Sequence, residues 1–171
     1  MRLEGEAWAR YFQDVQRSAF RLELHPVYTM PGEADELRRF LAGEKPPDGY
    51  HYGWLDTMAA AVRAGKTFRR VRVVTQPLPD YIRYEFEWGF VYNVAAGEDI
   101  RILDLTNTPM PDLPDHDFWL FDETTVVKLL YRPDGTQIKR ELVDDPDIPA
   151  YLRYRDAAWQ QAIPFSEYWK G

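Results

Sequence analysis

Side chains two residues apart on a strand share a face, and a nucleophile or metal ligand two residues before a lysine is a spacing that serves phosphate-ester cleavage. The five lysines test for it directly. The positions two residues upstream of Lys45, Lys66, Lys128, Lys139 and Lys170 are Gly43, Ala64, Val126, Gln137 and Tyr168, so no His-x-Lys or acid-x-Lys pair exists. Only Gln137 with Lys139 approximates the second pattern, and it falls within a predicted hairpin. Divalent-cation chemistry would instead draw on Asp112, Asp115, His116, Asp117 and Asp122, whose hard oxygens and single imidazole suit Mg or Mn. Asp115, His116, Asp117 and Asp122 form the candidate metal set, and a metal-assisted phosphodiesterase or nuclease is the alternative function they would serve. The plainer account is a solvated loop: Pro111 and Pro114 break the chain, no second histidine is close, and Asp122 sits at a turn.

The arginine stripe Arg69, Arg70 and Arg72, extended by Arg83 and Arg101, offers anion recognition. On a strand Arg70 and Arg72 face one way and Val71 and Val73 the other, so two guanidinium forks can meet a carboxylate or phosphate. The commoner use of such arginines is internal pairing, for which Glu85, Glu87 and Glu98 are at hand. Tyr81 follows Pro79 at the end of the same strand. Arg70, Arg72, Tyr81 and Arg83, with the aromatic Trp119, make up the expected ligand-binding set, because arginine and aromatic residues anchor interfaces.

Other chemistries lack their parts. His25, His51 and His116 are scattered, Ser18 and Ser166 are the only serines, and no GxSxG elbow presents either. No GxGxxG or GxxxxGK precedes a helix, and the GKT at 65–67 follows a helix and precedes a strand, the wrong order for a phosphate loop. No cofactor is therefore expected.

The 171 residues carry 21 Lys and Arg against 28 Asp and Glu, a net charge of −7 that argues against a chain built to coat nucleic acid or anionic lipid. With no Cys, disulfide scaffolds and thiolate sites are excluded. Six Trp, 11 Tyr and 9 Phe exclude intrinsic disorder. The first 20 residues mix charges into every turn and hold no apolar leader, and no long apolar run could span a bilayer, so the expectation is one cytoplasmic domain over 1–171.

Trp8, Tyr11, Phe12, Val15, Ala19 and Phe20 recur at three- and four-residue intervals and predict a helix over 5–20, followed by an extended connection through Leu22, Leu24 and Val27. Helices are predicted at 32–41 and 52–64. RRVRVV predicts a strand ended by Pro77 and Pro79. From Tyr81 to Ala96 large apolar residues alternate with charges as in a strand. A helix is preferred because the segment exceeds ordinary strand length and has Asp80 and Gly97 at its ends. That helix completes a parallel crossover to a strand at 100–103. FWLF, TVVKLLY and TQIKREL predict an antiparallel meander, and a helix from 148 to 162 closes the chain before an aromatic tail. The expected class is α+β: a mixed sheet, with one parallel βαβ crossover plus the meander, N-terminal helices and a C-terminal helix.

The segments GKTFRRVRVV, DYIRYE, AAGEDIRIL, DFWLFD and RDAAWQQAIPFSEY, spread over nearly the whole chain, resemble an uncharacterised domain family common in actinobacteria, whose genes often lie near or are fused to helix-turn-helix regulators. Sixteen Arg against five Lys fits a GC-rich genome of that kind. The resemblance implies a regulatory setting with a partner protein, such as a helix-turn-helix regulator, and no reaction. At fold level the order of elements also resembles one half of the phospholipase-D fold. Where that family places His and Lys, this chain has His116 and Phe118 ahead of Asp122, one residue short in spacing, so the resemblance implies a scaffold without the catalytic pair. The resulting expectation is a non-catalytic regulatory or interaction module that binds a partner regulator or a small anionic ligand, with no direct nucleic-acid binding and no membrane.

Overall fold

In the computed structural model, which describes residues 1–171, helix α1 (Gly5–Asp14) leads into strand β1 (Ser18–Glu23). A 3-10 turn (Pro31–Glu33), α2 (Ala34–Leu41) and α3 (Gly53–Arg63) then carry the chain to β2 (Thr67–Val74). A longer helix follows in three parts, α4 (Asp80–Glu85), a π turn (Phe86–Phe90) and α5 (Val91–Ala96), before β3 (Asp99–Asp104). Strands β4 (Asp117–Phe121), β5 (Thr125–Tyr131) and β6 (Gln137–Leu142) form the meander, and α6 (Ile148–Gln161), the short β7 (Ile163–Pro164) and α7 (Phe165–Tyr168) complete the chain. One seven-stranded sheet in the order β6-β5-β4-β1-β2-β3-β7 joins them, with β1, β2 and β3 mutually parallel and every other pairing antiparallel. The class is α+β, as expected. No helix is long and apolar enough to cross a membrane.

The first helix is shorter than the sequence predicts. It ends at Asp14, and Ser18–Glu23 is a central strand, which adds a second parallel crossover, β1 to β2 through α2 and α3. The strand escapes notice because both of its faces are buried: Phe20 and Leu22 point one way into apolar packing, Arg21 and Glu23 the other way into a charged cluster. Strand alternation is conspicuous only when one face meets water.

The helix over 80–96 explains its own misleading alternation. Ile82, Phe86 and Phe90 pack on Val74, Ile100 and Ile102 of the sheet, while Tyr81, Tyr84 and Trp88 form a second apolar stripe under Leu37 and Phe40 of α2. A helix covered on two sides needs two stripes, and together they read as every second residue. The expected helix stop is present: Gly97 has φ 115°, a left-handed cap that suits glycine.

The two faces of the sheet differ. On one, α6 covers Phe20, Leu22, Val71, Val73, Phe118 and Leu120, its start fixed by Asp147 accepting from the Ala150 N–H at 3.0 Å. The other lies beneath α1, α3, the 80–96 helix and α7. At the β6 edge residues 1–3 run alongside as a strap, with the Leu3 N–H donating to the Arg140 carbonyl at 2.9 Å and the Leu142 N–H to the Met1 carbonyl at 2.8 Å. The β5–β6 turn holds Gly135 at φ 87°, where a Cβ would lie 2.4 Å from the Val27 carbonyl oxygen. Only glycine fits, and this tight approach seats Tyr28 and Met30 over the charged cluster.

Candidate ligand-binding site

Beneath α1 and α3 the three central strands line up charges in register. Arg21 sits between Trp119 of β4 and Arg70 of β2, and Glu23 is opposite Arg72. Two guanidinium groups side by side repel, so carboxylates must surround them. Glu23 pairs with Arg70 at 2.6 Å, Glu98 with Arg70 at 2.7 Å, Asp117 with Arg21 at 3.2 Å and Glu85 with Arg72 at 2.7 Å. Glu98, held just beyond the Gly97 cap, also accepts from Trp54 Nε1 at 2.7 Å and Asn93 Nδ2 at 3.2 Å. Tyr28 donates to Asp117.

Burial and neighbours set the protonation of this cluster. Burial works to raise the Glu23 pKa, but Arg70, Arg21 and Arg72 together hold it down at about 2. Glu85 goes the other way: burial, with Glu23 pushing in the same direction, overcomes Arg72 and lifts it to about 8. Arg72 itself is 0% exposed, and its two terminal amino groups have no hydrogen-bond partner, although its guanidinium lies 5.1 Å over the Tyr28 ring.

Above Arg21 and Arg70 the face opens into a cavity of about 440 Å³. Its charged lining consists of Arg21, Arg70 and Arg140, with no aspartate or glutamate. The carboxylates that neutralise Arg21 and Arg70 lie outside this lining, whereas Arg140 has no ion-paired acid. Its Nε donates to the Leu3 carbonyl at 3.2 Å and its guanidinium stacks 5.2 Å from the Trp8 ring, leaving the terminal nitrogens free. Burial lowers the Arg140 pKa against the pull of Tyr131 and Glu4. Trp8, Phe12, Trp54, Trp119 and Tyr131 make up the aromatic part of the wall.

Of the expected ligand-binding set, Arg70 and Trp119 line this cavity. Arg72 lies deeper on the same face, locked to Glu85, so the paired fork expected of Arg70 and Arg72 is turned inward to carboxylates. Tyr81 is buried under α2 and donates to Glu33 at 2.8 Å. Arg83 is exposed on the far side of its helix, pairing with Asp80, and takes no part. Arg69 and Arg101 point to the opposite face, where both stack on Trp159. The sequence reading missed Arg21, Arg140, Trp8 and Trp54. The FRLE alternation carried the signal for Arg21, but it was split, with Phe20 taken into the predicted first helix and Leu22 into the extended connection after it.

The candidate metal set does not assemble. Asp117 is buried on the charged face, whereas His116 bonds the Tyr151 hydroxyl at 2.9 Å on the α6 face and Asp115 is exposed beside it. Asp122 caps the chain entering β1, accepting from the Gln16, Arg17 and Ser18 N–H groups at 2.7–3.0 Å. Alternation along β4 and the end-of-strand turn send these side chains in different directions. Nowhere do three His, Asp or Glu side chains come together as metal ligands.

Comparison with known proteins agrees with this geometry at the level of fold. The chain belongs to a family described as a domain of unknown function (DUF6879), whose model matches residues 6–170. No curated protein matches its sequence. Among solved structures it is similar to a phospholipase D family member, Nuc from Salmonella typhimurium, at 13% identity and a TM-score of 0.50, over 92% of this chain and 90% of that one. At that identity the likeness speaks for the fold alone.

Proposed function

We propose that the chain is a non-catalytic module built on a phospholipase-D-like fold, which binds a small anionic ligand in the arginine-lined cavity and presents the bound state to a partner protein. The observation that carries this reading is the cavity's lining: its only charged residues are arginines, and one of them, Arg140, has no acid to pair with. Arginine forks bind carboxylate or phosphate with two parallel hydrogen bonds, and the space is of ordinary ligand-site size. The non-catalytic part is supported by the absence of any His-x-Lys or acid-x-Lys pair and by the dispersal of Asp115, His116, Asp117 and Asp122. The partner, a helix-turn-helix regulator, is suggested by the resemblance of the sequence motifs.

A panel of carboxylates and phosphate esters in a thermal-unfolding assay tests the reading. A true ligand at a hundredfold excess over its Kd should raise Tm by about 5 °C or more, and Arg140→Ala should abolish the rise. No shift with any anion, or a shift indifferent to Arg140, overturns the ligand claim. Hydrolysis of bis-p-nitrophenyl phosphate, lost in His116→Ala, would overturn the non-catalytic one.

A further inference from the structure

Resting on that reading, we infer that the ligand is a planar aromatic acid, its anionic group on Arg140 and its ring against the wall formed by Trp8, Trp54 and Trp119. The wall is a set of rings already locked edge to face. Phe12 meets Trp8, Trp54 and Trp119 with centroids 4.8, 5.2 and 5.0 Å away and interplanar angles of 83°, 90° and 82°. Trp54 and Trp119 lie 5.8 Å apart at 59°. Rings fixed in this way present faces and edges that do not have to be ordered on binding, and they favour a flat π surface over a flexible aliphatic chain.

The cations point to the same ligand. Arg70 lies 6.0 Å from the Trp54 centroid and 5.9 Å from that of Trp119, and Arg140 lies 5.2 Å from that of Trp8, so guanidinium groups and rings share the wall of the same cavity. Such a surface accepts a charged edge and an aromatic body at once. A bare inorganic anion would satisfy Arg140 and leave the greater part of about 440 Å³ of aromatic-walled space unfilled. A cationic ligand finds no acid in the lining.

Calorimetric titration with four probes decides the matter: 2-naphthoate, cyclohexanecarboxylate, inorganic phosphate and naphthalene-2-carboxamide. The first should bind about fivefold or more tighter than cyclohexanecarboxylate, and about tenfold or more tighter than the uncharged amide. Arg140→Ala should erase the preference for naphthoate over its amide, and Arg140→Lys should restore part of it because the charge returns without the fork. Circular dichroism and Tm confirm that both variants are folded. If phosphate or cyclohexanecarboxylate binds as tightly as naphthoate, and Arg140→Ala weakens all three, the aromatic assignment falls and the anion site stands. If acid and amide bind alike, or nothing binds, the anion site falls with it.

Discussion

The two faces of the central strands are built by opposite means from the same residues. Beneath α6, Phe20, Leu22, Val71, Val73, Phe118 and Leu120 pack apolar on apolar, and each buried side chain adds stability without needing a particular partner. Under α1 and α3, Arg21, Glu23, Arg72 and Asp117 alternate with those very residues and are buried as deeply, with Arg70 half-buried among them. Desolvating that many charges costs about as much as their pairing returns, so apolar replacements would hold the fold at least as well. The contrast teaches that the α6 face is the foundation and the charged face is kept for what it presents at its surface, the cavity.

Four experiments would break or sharpen that contrast. The largest effect is expected from Arg72→Ala, which opens a void where a fully buried guanidinium stood and takes from the Glu85 carboxyl its hydrogen-bond donor, and should cost about 3–5 kcal/mol in urea unfolding. The pair Arg72→Met with Glu85→Leu should instead return to within about 1 kcal/mol of the parent. If the double variant is as weak as the single one, the charged face is itself a foundation. Leu22→Ala, on the apolar side of the same strand, should cost about 3 kcal/mol, with no rescuing partner change and little effect on ligand affinity.

The third experiment reads pH. Glu85 has its pKa raised to about 8 from an ordinary 4.5, so the folded state holds a proton that the unfolded chain releases. Its contribution is whole below pH 4.5 and is lost as pH rises toward 8. Glu23, lowered to about 2, does the reverse, losing its contribution as pH falls from 4.5 toward 2. Denaturation midpoints should therefore peak near pH 4.5–5, and Glu85→Gln should flatten the decline between pH 5 and 8 while leaving the acid limb untouched. An unchanged slope would show that Glu85 ionises normally in the fold. The smallest effect is expected from Arg83→Ala. The side chain is exposed and pairs only with Asp80, so stability should move by less than about 0.5 kcal/mol and ligand affinity not at all.

The sheet's composition and most of its strands were legible because turn residues and β-branched runs mark them. RPDG announces the β5–β6 turn, and TVVKLLY and RVRVV announce their strands. Phe20, Arg21, Leu22 and Glu23 were not legible as a strand, since a helix period extending from Trp8 could absorb Phe20 and the charges gave no solvent side. The candidate site was legible in part. Arg70 and Trp119 stood out by type, but Arg140 lies 70 residues after Arg70, and Trp8 and Trp54 lie on separate helices. Only strand register and helix docking bring them together, and neither is encoded by local spacing.

The strap of residues 1–3 gives the cavity a history as well as a shape. Leu3 aims Arg140 through a carbonyl contact between positions 137 apart, so this arginine is seated only after two segments far apart in the chain have come together. Contacts of that span close late, after local turns and hairpins have formed. The cavity is thus finished late: a chain can own most of its sheet before Arg140 takes its place in the wall.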